Sequence, residues 1–155
     1  MLQVDLRALN RGPVDTVGRL EPTDPVFEGL ELGLVGPVSV AGRLQATGPG
    51  EYFWRAHIAA DVEASCRRCL AELVYHLDQD LDVLFSDDPE AADDPAAYVL
   101  PPAANTVDLG GVVREELALA VPPYLLCRDD CAGLCPRCGA DLNAGGCQCA
   151  PAEPV

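Results

Sequence analysis

The side chains with most chemistry to offer are eight cysteines. Six of them, Cys127, Cys131, Cys135, Cys138, Cys147 and Cys149, crowd into one stretch reading YLLCRDDCAGLCPRCGADLNAGGCQC. The other two, Cys66 and Cys69, form a separate close pair far upstream. Close cysteine pairs set among Gly and Pro suit a soft metal ion, zinc first of all. A tight turn lets both thiolates reach one centre while its backbone N–H groups bond the sulfurs. Cys135-Pro136-Arg137-Cys138-Gly139 fits such a knuckle, because a glycine after the second cysteine relieves the turn.

Zinc takes four ligands in a tetrahedron. Spacing favours two sets, Cys66/Cys69/Cys127/Cys131 and Cys135/Cys138/Cys147/Cys149. A single zinc held by Cys66, Cys69, Cys135 and Cys138 is the other arrangement, and spacing leaves both one and two ions open. Four thiolates leave no position for water or substrate, so either arrangement is structural. A thioredoxin-like role for Cys66 and Cys69 asks for a helix starting at the first cysteine, whereas strands are expected on both sides of this pair.

Other chemistry is thin. The only histidines are His57 and His76, and His57 falls opposite the apolar side of its strand. Glu115 and Glu116 are adjacent, so they cannot share a helical face as an acid–base pair. Neither a Gly-rich phosphate loop nor a nucleophile elbow is present. The expectation is a protein with no catalytic residues, no organic cofactor and no small-molecule substrate.

Charge bounds the partners. Ten basic residues face 25 acidic ones, a formal net charge of −15, and thiolate ligation would deepen it. Direct binding to nucleic-acid phosphates calls for a Lys/Arg surface, so a basic protein is the better match and any RNA contact would be indirect. The longest apolar stretch, residues 117–126, is cut by Pro122 and Pro123, short of the roughly 18 residues a membrane span needs. The opening MLQVDLRALNRG lacks the basic start and apolar block of a secretory signal. A cytoplasmic location is expected, where a disulfide framework is disfavoured and metal binding is the natural use of the thiols.

The elements that position the cysteines follow from periodicity. Residues 1–9 alternate weakly, as an edge strand would, and residues 30–35 and 38–47 read as two further strands. The clearest alternation places Tyr52, Trp54, Ala56, Ile58, Ala60, Val62 and Ala64 on one face; Leu73, Tyr75, Leu77, Gln79, Leu81, Val83 and Phe85 repeat it. Cys66 and Cys69 then sit at the tip of a long hairpin. Residues 86–102, rich in Asp, Ala and Pro, read as a flexible acidic loop, either a solvated insert or a lure for a basic partner. Asp108 is an N-cap for a helix over residues 109–121, with Leu109, Val112, Val113, Leu117, Ala120 and Val121 on its apolar stripe and Pro122-Pro123 ending it.

The expected fold is α+β: an antiparallel β-sheet with one packed amphipathic helix and a cysteine-rich, zinc-binding C-terminal tail. Residues 1–126 would form the core domain and residues 127–155 the tail packed on it.

The order of parts, and above all CRRCL at residues 66–70 and CAGLCPRCGADLN at residues 131–143, resembles the YceD family, the large ribosomal RNA subunit accumulation proteins. The resemblance covers most of the chain from about Leu30 onward and is weaker over the first 25 residues. It implies a noncatalytic ribosome-biogenesis factor supporting accumulation or maturation of large-subunit ribosomal RNA, with all eight cysteines as metal ligands. Together with the charge, it points to a basic ribosomal protein or a pre-ribosomal particle as partner. A metal-dependent RNA-processing enzyme and a zinc-stapled interaction module unrelated to ribosomes are the alternatives.

Overall fold

The computed structural model describes residues 2–149, which group into two compact units. The first combines the chain up to Val62 with His76–Val121; the second joins Glu63–Tyr75 to the stretch from Pro122 onward. The hairpin tip thus groups with the cysteine-rich stretch, a partition that does not follow chain order.

In the first unit, strand β1 (Gln3–Asp5) pairs antiparallel with β8 (Thr106–Asp108) in a small separate sheet. The main sheet runs β2 (Val14–Leu20), β4 (Val38–Gly48), β5 (Glu51–Ser65), β6 (Glu72–Ser86) and β7 (Ala97–Val99), with the two-residue β3 (Gly33–Leu34) pairing β5 off this path. The pairs β2–β4 and β4–β5 are antiparallel, but β6–β7 is parallel, so the sheet is mixed rather than wholly antiparallel. That correction follows from the connection after β6: it carries the chain back to lay a three-residue strand alongside Leu84–Ser86 in the same direction.

Alternation decides which side is buried. Trp54, Ala56, Ile58, Ala60 and Val62 of β5 are buried with Val38, Val40 and Leu44 of β4 and Leu77, Leu81, Val83 and Phe85 of β6. Gly42 lies opposite Ala56, and a Cβ on it would come within 2.6 Å of the Ala56 Cβ and the Arg55 carbonyl oxygen. The close approach of β4 and β5 therefore excludes any side chain there. Helix α1 (Leu109–Ala120) begins as expected, with the Asp108 carboxylate accepting from Gly110 N at 2.9 Å. Leu109, Val112, Val113 and Leu117 are buried, and Arg114 Nη1 donates to the carbonyls of Val26 (2.7 Å) and Glu28 (2.6 Å).

Four segments differ from expectation, the first being residues 30–35, where the expected strand is only the two-residue β3. The edge strand expected over residues 1–9 stops at Asp5, whose carboxylate accepts from Arg7 N (2.9 Å) and caps a 3-10 turn over Leu6–Arg11 that buries Leu6 and Leu9. Strand β2 falls where no strand is expected. The acidic stretch holds a 3-10 turn, Pro89–Asp93, capped by Asp88, and then β7. There Tyr98 packs against Phe85 with ring centroids 5.7 Å apart and donates to Glu115 Oε2 at 2.7 Å.

The outward side of β5 and β6 carries a ladder of ion pairs: Arg55–Asp82 at 2.9 Å, His57 with Asp80 at 2.9 Å and Asp78 at 3.3 Å, and His76–Asp61 at 2.6 Å. The hydrogen bond to Asp80, with the Asp78 charge, raises the His57 pKa above its usual value. The folded chain therefore prefers the imidazolium. Its contribution to stability is fully present below about pH 6.5 and is lost as pH rises through the raised folded value. Denaturant melts from pH 5 to pH 9 should show this slope, and His57→Gln should flatten it; an unchanged slope would remove His57 as its source.

Candidate metal centre

In the second unit the eight sulfurs form two quartets, Cys66/Cys69/Cys127/Cys131 and Cys135/Cys138/Cys147/Cys149, each with ligand atoms within 4.8 Å of one another. The alternative set of Cys66, Cys69, Cys135 and Cys138 is not among the groups gathered by the described residues.

The two knuckles share one backbone design. At the hairpin tip, Leu70 N donates to the Cys66 carbonyl at 2.9 Å and Cys66 N to the Ala71 carbonyl at 2.9 Å. In the tail, Gly139 N donates to the Cys135 carbonyl at 2.9 Å and Cys135 N to the Ala140 carbonyl at 2.8 Å. The residue after each second cysteine is left-handed: Gly139 at φ 75° and Leu70 at φ 61°. Glycine adopts that conformation freely, whereas leucine gives up roughly 1–2 kcal/mol. The turn is thus held at the tip despite its side chain, and Leu70 remains largely exposed.

Sulfur separations test the fit to a metal. Four thiolates about 2.3 Å from a common tetrahedral centre stand about 3.8 Å apart. The structure has Cys66 Sγ–Cys131 Sγ at 3.7 Å and Cys69 Sγ–Cys127 Sγ at 3.6 Å. Disulfide sulfurs lie near 2.0 Å, and all eight cysteines are free. A soft, four-coordinate cation matches both the donor set and the spacing.

The surroundings divide the labour within each quartet. The Cys69 backbone N–H, with those of Cys127 and Arg68, holds the Cys66 thiol down to about 6. The Cys138 and Arg137 N–H groups do the same for Cys135, also to about 6. Loss of water around its sulfur, then hydrogen bonding to Cys69, pushes Cys127 up to about 12; Cys149 is pushed up to about 12 by hydrogen bonding to Cys138 and by loss of water. The leading thiol of each knuckle is therefore drawn toward the thiolate, the form that captures a metal. The first quartet is the drier: Cys66, Cys69 and Cys131 are buried among Leu73, Leu126 and Leu134, whereas Cys138 is exposed and Cys147 and Cys149 half-buried.

Two supporting side chains escape a reading by cysteine spacing. Arg68 Nη1 donates to the Cys131 carbonyl at 3.0 Å. Asn143 Nδ2 donates to Cys131 Sγ at 3.3 Å, and this bond lowers the Cys131 pKa. The one sequence signal for Asn143 is its place at the end of the CAGLCPRCGADLN run. His57, His76, Glu115 and Glu116 belong to the first unit and to neither quartet.

Fold and site together define a β-rich protein with two four-cysteine clusters, each near enough to hold a metal ion. The chain belongs to the YceD family: the profile described as large ribosomal RNA subunit accumulation protein YceD matches residues 54–154. An uncharacterised protein of Mycobacterium tuberculosis (strain H37Rv) is 32% identical over 87 residues, covering 55% of this chain and 42% of that protein. One from Mycobacterium leprae is 26% identical over 148 residues, 89% of this chain and 66% of that protein. A chloroplastic Arabidopsis thaliana protein, named as a YCED homolog and large ribosomal RNA subunit accumulation protein, is 32% identical over 53 residues, 34% of this chain and 16% of that protein. The chain thus spans less than half the length of the first of these relatives. No solved structure matches it. Among the described residues, no helix is long and apolar enough to cross a membrane.

Proposed function

We infer that this chain is a noncatalytic ribosome-biogenesis factor of the cytoplasm, supporting accumulation or maturation of large-subunit ribosomal RNA by binding a basic ribosomal protein or precursor particle. Zinc in the two cysteine quartets has a structural part, since four thiolates leave no coordination position for a reacting water.

The observation that carries the mode of action is the distribution of charge. All ten basic residues are arginine, and Arg67, Arg68, Arg128 and Arg137 lie in the second unit, while most of the 25 acidic residues lie in the first. Within the first unit Arg7, Arg43 and Arg55 are already paired with Asp5, Asp15 and Asp82. Little positive surface is left for phosphates, and the negative field favours a cationic protein.

The test is association of the purified, zinc-loaded chain with basic ribosomal proteins and with precursor particles, at low and at high salt. Binding at low salt that weakens about tenfold or more by roughly 0.5 M salt is expected for an electrostatic contact. An absence of binding at low salt would remove the reading.

A further inference from the structure

The loop that spaces the second quartet reaches across to the first. Asn143 lies between Cys138 and Cys147, in a 3-10 turn, Leu142–Ala144. Yet its amide Nδ2 donates to Cys131 Sγ of the first quartet at 3.3 Å. The orientation of that amide is fixed from its other end: Oδ1 accepts from Arg128 Nη2 at 2.7 Å and Ala132 N at 2.8 Å, which leaves the NH2 group for sulfur. The turn itself is well anchored. Asn143 N donates to Asp141 Oδ1 at 2.9 Å, Leu142 N to the Gly133 carbonyl at 2.9 Å, and Leu134 and Asp141 form a β-bridge.

Resting on the metal reading above, we propose that Asn143 couples the two quartets, so that a metal in either one raises the affinity of the other. Asn143 is a positioning residue and ligates nothing. An N–H···S bond is stronger to a metal-bound thiolate than to a neutral thiol, because the acceptor carries more charge. Filling the first quartet therefore tightens the Asn143–Cys131 bond. That bond fixes the turn from which the chain runs on to Cys147 and Cys149. Filling the second quartet fixes the same loop and sets the amide against Cys131 in advance. The two effects are equal by linkage.

The experiment is a Co²⁺ titration of the reduced, metal-free full chain, followed by thiolate–cobalt absorption and native mass spectrometry. Two cobalt ions per chain at saturation are expected, and at one equivalent chains with no metal or two should outnumber those with one. Asn143→Asp keeps the acceptor for Arg128 and Ala132 but presents no donor to sulfur, so it separates the N–H···S bond from simple loop anchoring. In Asn143→Asp, and in Asn143→Ala where that variant folds, two metals should still bind. One-metal chains should then dominate at one equivalent, with the wild-type gain in second-site affinity, roughly fivefold or more, lost. A wild-type titration at the statistical mixture of independent sites would overturn the coupling while leaving two metals in place. So would an Asn143→Asp protein as cooperative as wild type. Failure of the wild type to bind two metals would overturn the metal reading and the coupling with it.

Discussion

Cys66→Ser is expected to release one of two zinc ions per chain and to abolish amide protection around the first quartet, over residues 63–75 and 122–134. The reason is the size of what the metal holds. The buried cluster around the first quartet is Cys66, Cys69 and Cys131 themselves, with Leu73, Leu126 and Leu134 only partly buried. Units of a few tens of residues do not bury enough apolar surface to offset chain entropy, and a metal supplies the difference. Structural zinc contributes on the order of 10 kcal/mol to such folds, against roughly 1 kcal/mol for most single side-chain changes. Cys66 is fully buried and its sulfur is 3.7 Å from that of Cys131, so a serine there leaves three thiolates and a shorter, harder oxygen. Elemental analysis and hydrogen exchange on protein purified without chelator are the measurements. Cys138→Ser, at an exposed ligand of the second quartet, should likewise release one zinc. A Cys66→Ser protein with two zinc ions and unchanged protection would show that Cys66 is not a ligand on which the metal depends.

Much of this arrangement is written in local patterns. The first arm of the hairpin is legible because seven apolar side chains in a row at period two admit no helix, and observed burial follows the same alternation through Trp54, Ala56, Ile58, Ala60 and Val62. The helix start is legible because an Asp before an apolar stripe supplies a cap. Gathering the eight sulfurs into two groups is legible from close pairs.

Patterns fail where the buried residue is not apolar. β2 reads VDTVGRL, and its inward positions include Thr16 and Gly18. Thr16 is buried because its hydroxyl meets Trp54 Nε1, while a Cβ on Gly18 would stand 3.0 Å from Leu2 Cδ1. Both reasons lie outside β2, in Trp54 of β5 and in Leu2 just before β1. β7 is equally illegible: three residues in an Ala/Asp/Pro stretch, held by pairing with β6 and by Leu100 N donating to the Ser86 carbonyl at 2.7 Å. Asn143 is missed for a related reason, since nothing in its neighbours tells which sulfur its amide will meet.

The buried Thr16–Trp54 pair gives the second large effect, on the stability of the first unit. Trp54 is fully buried and donates from Nε1 to Thr16 Oγ1 at 2.8 Å, tying β2 to β5 across the intervening β4. Trp54→Ala empties the largest buried side-chain site in the sheet and is expected to destabilise by about 3–5 kcal/mol. That is a large share of the roughly 5–15 kcal/mol typical of a folded domain. Thr16→Val keeps the shape but strands the indole N–H away from water, an expected loss of about 1–3 kcal/mol. Trp54→Phe removes the donor altogether, so Thr16→Val in that background should be nearly neutral. Urea melts of the four proteins in the cycle check this. If Thr16→Val costs the same with Trp54 and with Phe at that position, the hydrogen bond carries no stability and β2 is held by apolar packing of Leu20 and backbone pairing alone.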